Sequence, residues 1–388
     1  MAKKLIRVAR NVLDIERIKP GNGRLLNMEQ AEQPLKLDSI DSTAAPPIAA
    51  LAAMEDFLRK RRLNWQTDPQ ASHLKARIAE YSNVSQDSII CFASIDVALN
   101  AITRTYLEAG SKALNISPSR NSFAHHCQCS GADSINVVFE DPLEPSIETV
   151  INNICPRTRM VYLSNPDILT GTTFTEAELV FLLAYAENSM VVVDESLIEY
   201  YGRSATELTK RFGNLAILRT FTSIFGLASL GTSYIITDPD NLEFIERLSA
   251  GMYPDALAQA AAAAALCDLN HVRQNFISVG QSKKILAQNL PLLGYEFHIG
   301  SGNAFLLKSE EPSELIEMLE NEEIYISDMS FSGNLASFVR ITIGNPTQTE
   351  RLLGALGRFK ESSLQKGEIP NTAGIDRRVH RPQISVTA

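Results

Sequence analysis

The sequence predicts an α/β protein: a large doubly wound domain built on a mostly parallel sheet, followed by a smaller α+β lobe. Three observations carry this. Short β-branched runs alternate with helical patterns through most of the chain. The central runs, such as Met190-Val191-Val192-Val193, are apolar without interruption, as parallel strands covered on both faces are. Beyond residue 272 the order of elements changes to strands and helices that imply a separate sheet.

The strand candidates of the large domain are 88–94, 112–117, 134–140, 159–164, 189–194, 215–221 and 232–237. Between them, Thr175-Glu176-Ala177-Glu178 is a capping box that opens a helix to about residue 187. Asp255 caps an alanine-rich helix running to about residue 270. Strand-like runs at 304–309, 323–329 and 338–344 then alternate with helices around 314–320 and 350–359. The expected division is an N-terminal arm and small-lobe segment over 1–55, the large domain over 56–272 and the small lobe over 273–361. Residues 362–388 lack periodicity and read as an extended or disordered tail.

Composition sets the outer bounds. With 388 residues, 45% hydrophobic and 21% charged, the chain has ample material for a large core. A net charge of −9 repels phosphate backbones and argues against nucleic acid as a partner. Five scattered cysteines, an odd number, argue against a disulfide framework and point to the reducing cytoplasm. No apolar run is long enough to span a bilayer, so no membrane is expected. The basic start, residues 1–19, is broken by charges and does not read as a secretory signal; it reads as a basic amphipathic arm or, more plainly, as a helix packed on a partner subunit. Arg377, Arg378, His380 and Arg381 read by default as a solvated basic tail, with contact to a partner or an anionic ligand as the alternative. His125-His126-Cys127-Gln128-Cys129 is too crowded for a structural zinc site and has no second Cys/His pair, so no metal is expected. Gly21-Asn22-Gly23 and Gly300-Ser301-Gly302 are turns.

Five segments resemble fold-type-I pyridoxal-phosphate aminotransferases, and specifically the histidinol-phosphate aminotransferase branch. They are Thr67-Asp68-Pro69 with Leu74 through Ala79; Ser164-Asn165-Pro166 through Thr170-Gly171; Val191 through Glu195; Leu218 through Phe221 with Phe225 through Ala228; and Val339 through Gly344. They occur in the family's order between about residues 60 and 360. The resemblance implies a cofactor-binding large domain and a site completed across a homodimer interface. It also implies a lysine imine with the cofactor, a carboxylate at the pyridine nitrogen, a phosphate cup and a substrate-binding arginine.

On that resemblance Asp194 is the pyridine-nitrogen carboxylate and Arg340 the substrate-carboxylate arginine. Thr222 and Ser94 are hydroxyls near the phosphate, and Phe123 is the aromatic that stacks on the ring. An arginine in a half-buried strand pairs equally well with a structural acid, and hydroxyls and aromatics are common at strand ends, so the structural roles stay open. The departures carry more information. Ser223 stands where the family has its lysine, and a serine forms no imine. Gly231 replaces a phosphate-binding arginine, and Ile168 the asparagine at the ring hydroxyl. Leu169, Leu197, Gln66, Ser327 and Ala304 depart from the pattern as well. Neither Lys210 nor Lys308 offers a substitute amine. The expectation is therefore a non-catalytic homologue that acts as a partner or regulatory subunit, or as a ligand binder. The alternative is an enzyme with lysine-independent chemistry. Pyridoxal phosphate or pyridoxamine phosphate would be held non-covalently, if at all. The partners expected are a second copy or an active paralogue, with a small carboxylate as a candidate ligand.

Overall fold

A computed structural model describes residues 34–60, 63–116 and 121–366, together with Val12 and Ile15. The basic start and the Arg377–Arg381 cluster lie outside the described residues. The strands are β1 (Leu35–Leu37), β2 (Ile89–Phe92), β3 (Lys112–Ile116), β4 (Asp133–Val137), β5 (Thr158–Ser164), β6 (Met190–Asp194), β7 (Leu215–Thr220), β8 (Ser233–Thr237), β9 (Phe297–Ile299), β10 (Ala304–Lys308), β11 (Ile324–Asp328) and β12 (Phe338–Thr342). The α-helices are α1 (Ile48–Lys60), α2 (Ser72–Ser82), α3 (Ile95–Tyr106), α4 (Asn121–Cys129), α5 (Ile147–Asn152), α6 (Glu176–Tyr185), α7 (Ile198–Tyr201), α8 (Pro239–Leu248), α9 (Ala256–Ala265), α10 (Leu269–Asn289), α11 (Pro312–Asn321) and α12 (Pro346–Lys366).

Seven strands form the large sheet in the order β2-β8-β7-β6-β5-β3-β4. The pairs β3–β4, β3–β5, β5–β6 and β6–β7 are parallel, while β8 runs antiparallel to both its neighbours. Alternation along each strand divides the core in two. Leu114, Val161, Leu163, Val191, Val193 and Ile217 face α1, α2, α6 and α9. Ala113, Met160, Tyr162, Met190, Val192 and Leu218 face α3, α4 and α8. Both faces are covered, which is why β6 reads as an unbroken apolar run. The Thr175 capping box is present, with Glu178 reaching back to the Thr175 backbone. Asp255 caps α9, whose alanines permit close packing on α1.

The second sheet has the order β1-β11-β12-β10-β9. Leu37, Phe305, Leu307, Val339 and Ile341 pack on one side against α10, α11 and α12. Leu306 lies beside Arg340 in register and falls in a different cluster, on the face turned toward the large domain. Two segments link the sheets. Residues 38–47 carry the chain from β1 to α1, and α10 carries it back. Helix α12 runs to Lys366, so its end occupies the first residues of the stretch read from sequence as an extended tail.

Candidate functional site

Parallel α/β sheets place ligands at the carboxyl ends of their strands, because the following loops diverge there. At that edge Asp194 ends β6, fully buried. Its Oδ2 accepts from the Tyr162 hydroxyl at 2.6 Å, and its Oδ1 accepts from the Ser196 N–H at 2.9 Å and from the Ser196 hydroxyl. Tyr162 lies on β5 one strand away and stacks on Phe123, with ring centroids 4.5 Å apart and 15° between planes. Phe123, Tyr162 and Asp194 thus form one buried chain from α4 to the sheet edge. Tyr162 is a member of it that the sequence pattern does not single out. On the same helix, His125 and Cys129 touch across one turn at 3.6 Å and Cys127 points into the core.

Ser94 caps α3, its hydroxyl accepting from the Val97 N–H at 3.2 Å. Gly231 lies beside it in the left-handed region (φ +63°), where a Cβ would meet the Ala93 carbonyl at 2.7 Å and Ser94 Cβ at 3.6 Å. Positions 94 and 231 therefore do come together. Glycine at 231 is demanded by the backbone, and no arginine fits that conformation without movement of the chain. Asp96 sits in the first turn of α3, where its charge offsets the pull of the helix N-terminus on an anion. Thr222 is half-buried, and its N–H donates to Thr220 Oγ1.

Ser223 is 1% exposed. Its hydroxyl donates to the carbonyl of Ile40 at 3.1 Å. The Asn303 amide donates to the same carbonyl at 2.9 Å and lies 3.3 Å from Ser223 Oγ. The Tyr200 hydroxyl faces both side chains. Asn303 directly precedes Ala304, the position singled out from sequence, and Asn303 is the residue that reaches this seam. Beside it a cleft of about 40 Å³ opens among Thr43, Tyr200, Asn275, Ser278 and Asn303. That volume suits water rather than a cofactor-sized ligand.

Arg340 is 2% exposed. Its Nε donates to the Ile168 carbonyl at 3.2 Å and Nη1 to Thr342 Oγ1 at 3.4 Å, while Nη2 has no partner among the described residues. Burial pulls its pKa down to about 10, against the opposing charges of Asp167, Asp41 and Asp38. Asp167 is itself held by the Leu169 N–H and by the Thr170 N–H and hydroxyl, and burial raises its pKa. The loop that carries Asp167 and Ile168 presses on the β9–β10 turn. Ser301 N–H donates to the Gly171 carbonyl at 2.8 Å, and the Lys283 ammonium to Gly300 O at 2.8 Å. Burial lowers the Lys283 pKa to about 8. Lys210 and Lys308, by contrast, pair with Glu207 and Glu296 at the surface. A Cβ on Gly300 would collide with the Thr170 carbonyl and lie 2.6 Å from Gly171 Cα. Gly300→Ala is expected to lower stability by about 1–3 kcal/mol, as overpacking does, with a matching drop in the urea midpoint.

A second polar group lies beneath the site. Glu195 accepts from the Ala205 N–H at 2.6 Å, from the Ser204 hydroxyl at 2.9 Å and from Arg219 Nε at 2.9 Å. Arg219 reaches on to Ser204, Thr206 and Ser82. Glu199 accepts from the Tyr81 hydroxyl at 3.3 Å. Burial raises the Glu199 pKa to about 7, against the pull of Arg219. Arg219 thus pairs directly with Glu195 and acts on Glu199 through charge alone, and Glu199 titrates near neutrality.

Comparison with known proteins agrees with this frame. The family described as aminotransferase class I and II matches residues 32–356. A histidinol-phosphate aminotransferase of Anaeromyxobacter sp. is 30% identical over 331 residues, 84% of this chain and 90% of that protein. A dihydroxyacetone phosphate transaminase of Campylobacter jejuni is 30% identical over 333 residues, again 84% and 90%. Among solved structures, the histidinol-phosphate aminotransferase of Sinorhizobium meliloti in complex with pyridoxal-5'-phosphate superposes with a TM-score of 0.80 at 19% identity. It covers 93% of this chain and 100% of that one. Given the family match and two relatives at 30% identity, this chain belongs to the class I and II aminotransferases.

Proposed function

We propose that the chain is a non-catalytic aminotransferase homologue that serves as a ligand binder or partner subunit. The observation that carries this reading is Ser223: a buried hydroxyl bonded to Ile40, at the position that the family resemblance gives to the imine-forming lysine. Bound pyridoxal phosphate would supply an electron sink for substrate carbanions. Of the parts that hold it, the described residues offer Asp194 for the ring nitrogen. The cup positions offer a helix-capping hydroxyl at Ser94, a glycine at 231 and the nearby Asp96 carboxylate. This set does not fit a covalently held cofactor. What the chain's own residues can do is hold a small carboxylate at Arg340, whose buried charge has donor capacity to spare. Pairing with a second copy, or with an active relative, belongs to the same reading. It is supported by the exposed Ile48, Leu51 and Leu58 on α1 and by the exposed Leu63 and Trp65 that follow it in sequence.

A second reading has one observation in its favour. Asp194 is fully buried and fixed by Tyr162 and Ser196, as a non-covalent partner of a pyridine ring would need to be. One experiment separates the two. Purified chain mixed with pyridoxal phosphate is expected to develop no visible imine absorbance, and borohydride should fix no pyridoxyl group on lysine. A stoichiometric lysine adduct, with Lys283 the first to inspect, would overturn the non-catalytic reading. Saturable binding of pyridoxamine phosphate without an imine would favour the second.

A further inference from the structure

The segment 38–46 crosses the mouth between the two lobes, and three of its successive carbonyls are pinned by side chains. The Ser327 hydroxyl donates to the Asp38 carbonyl at 2.6 Å, and the Thr342 hydroxyl donates to the Ser39 carbonyl. The Ile40 carbonyl takes both Ser223 and Asn303. Ser327, Thr342 and Asn303 belong to the small lobe, and Ser223 to the large domain. Farther along, a Cβ on Gly226 would lie 3.3 Å from the Ala44 carbonyl and from Pro46 Cα, so the segment is seated directly on the large domain.

Arg340 lies under this segment's start. The same Thr342 hydroxyl that donates to Ser39 accepts from Arg340 Nη1. Asp38 and Asp41 add their negative charge to that of Asp167 in stabilising the cation. Both acids are tethered locally, Asp38 by Lys36 at 2.8 Å and Asp41 by the Ser39 hydroxyl at 2.9 Å. A guanidinium carries five N–H donors in a fork that suits a planar carboxylate. Here Nη2 is buried with no partner among the described residues, so the neighbouring acids balance its charge without meeting its geometry. An internal group that compensates charge and leaves the fork unfilled is one that an external carboxylate can displace.

Resting on the reading of Arg340 as a carboxylate site, we propose that residues 38–46 are the resident cover of that site, with Ser223 as their clasp. A small carboxylate then reaches Arg340 only when the segment lifts. Ser223 on this account holds the molecule closed rather than marking an empty position.

The test is the rate at which phenylglyoxal modifies Arg340 in the full chain, followed by peptide mass mapping, with Arg219 as an internal control for global opening. Ser223→Ala combined with Asn303→Ala frees the Ile40 carbonyl and is expected to speed modification of Arg340 about tenfold, equivalent to about 1.4 kcal/mol. Arg219 should stay unchanged, and succinate should protect Arg340. Ser327→Ala, which frees the Asp38 carbonyl from the small-lobe side, should give a smaller acceleration of the same kind. Equal rates in the natural chain and both variants would overturn the clasp, as would an acceleration at Arg219 in step with Arg340. Acceleration at Arg340 without protection by succinate would support the clasp and overturn the carboxylate reading on which it rests.

Discussion

Replacing Glu195 by alanine is expected to lower the unfolding free energy by about 3–5 kcal/mol. Glu195 is the direct ion-pair partner of Arg219, at 2.8 Å, and both side chains are almost wholly removed from water. Removing one member of such a pair leaves the other as an uncompensated buried charge, which is far more damaging than replacing both. Alanine also strips the acceptor from the Ala205 N–H and from Ser204. Glu199 moderates the loss, because with Glu195 gone it becomes the remaining acid for Arg219 and gives up its proton more readily. Urea unfolding at pH 7 measures the effect. A change below about 1 kcal/mol, the range of exposed pairs, would show that Arg219 finds water.

Stability should also fall as pH rises toward neutrality, and Glu199 should be the reason. Its carboxyl titrates near 7 in the folded chain against an ordinary value of 4.5. Below that ordinary value the group is protonated in both states and contributes its full share. Between the two values the unfolded chain releases the proton while the folded chain retains it, so stability declines across this window. Above about 7 the loss is complete, on the order of 3 kcal/mol at 1.36 kcal/mol per pH unit. Glu199→Gln keeps the shape of the side chain and removes the titration. The variant should match the natural chain at pH 4 and exceed it at pH 8. Parallel pH profiles for the two proteins would sink the assignment.

The strands of the large sheet are legible from sequence because their composition is forced by burial on both faces. Each observed strand lies within a residue or so of an apolar run, and the Thr175 and Asp255 caps are where their side chains require them. Two strands escape notice. β1 and β9 have three residues each, too few for a period of two to register. Helix α10 escapes as well, since most of its 21 residues are polar or exposed and only Ser282 and Leu286 are buried. The candidate site divides in the same way. Asp194, Ser94 and Gly231 follow from local motifs, whereas the Ile40 carbonyl, Asn303 and Tyr162 reach the site from distant segments. Arg219 gives a fainter signal: a charged residue inside the buried run Leu215–Thr220 requires a partner acid, and Glu195 supplies it after the turn.

The hydroxyl of Ser223 has a further consequence. On the proposed non-catalytic reading, a serine with a structural duty is more than a missing amine. Placing an amine there would take away one of the two side-chain donors to the Ile40 carbonyl and bury an ammonium group in the same step. On that reading, installing an imine-forming amine at position 223 would also require the crossing segment to change, so a single substitution meets a ratchet.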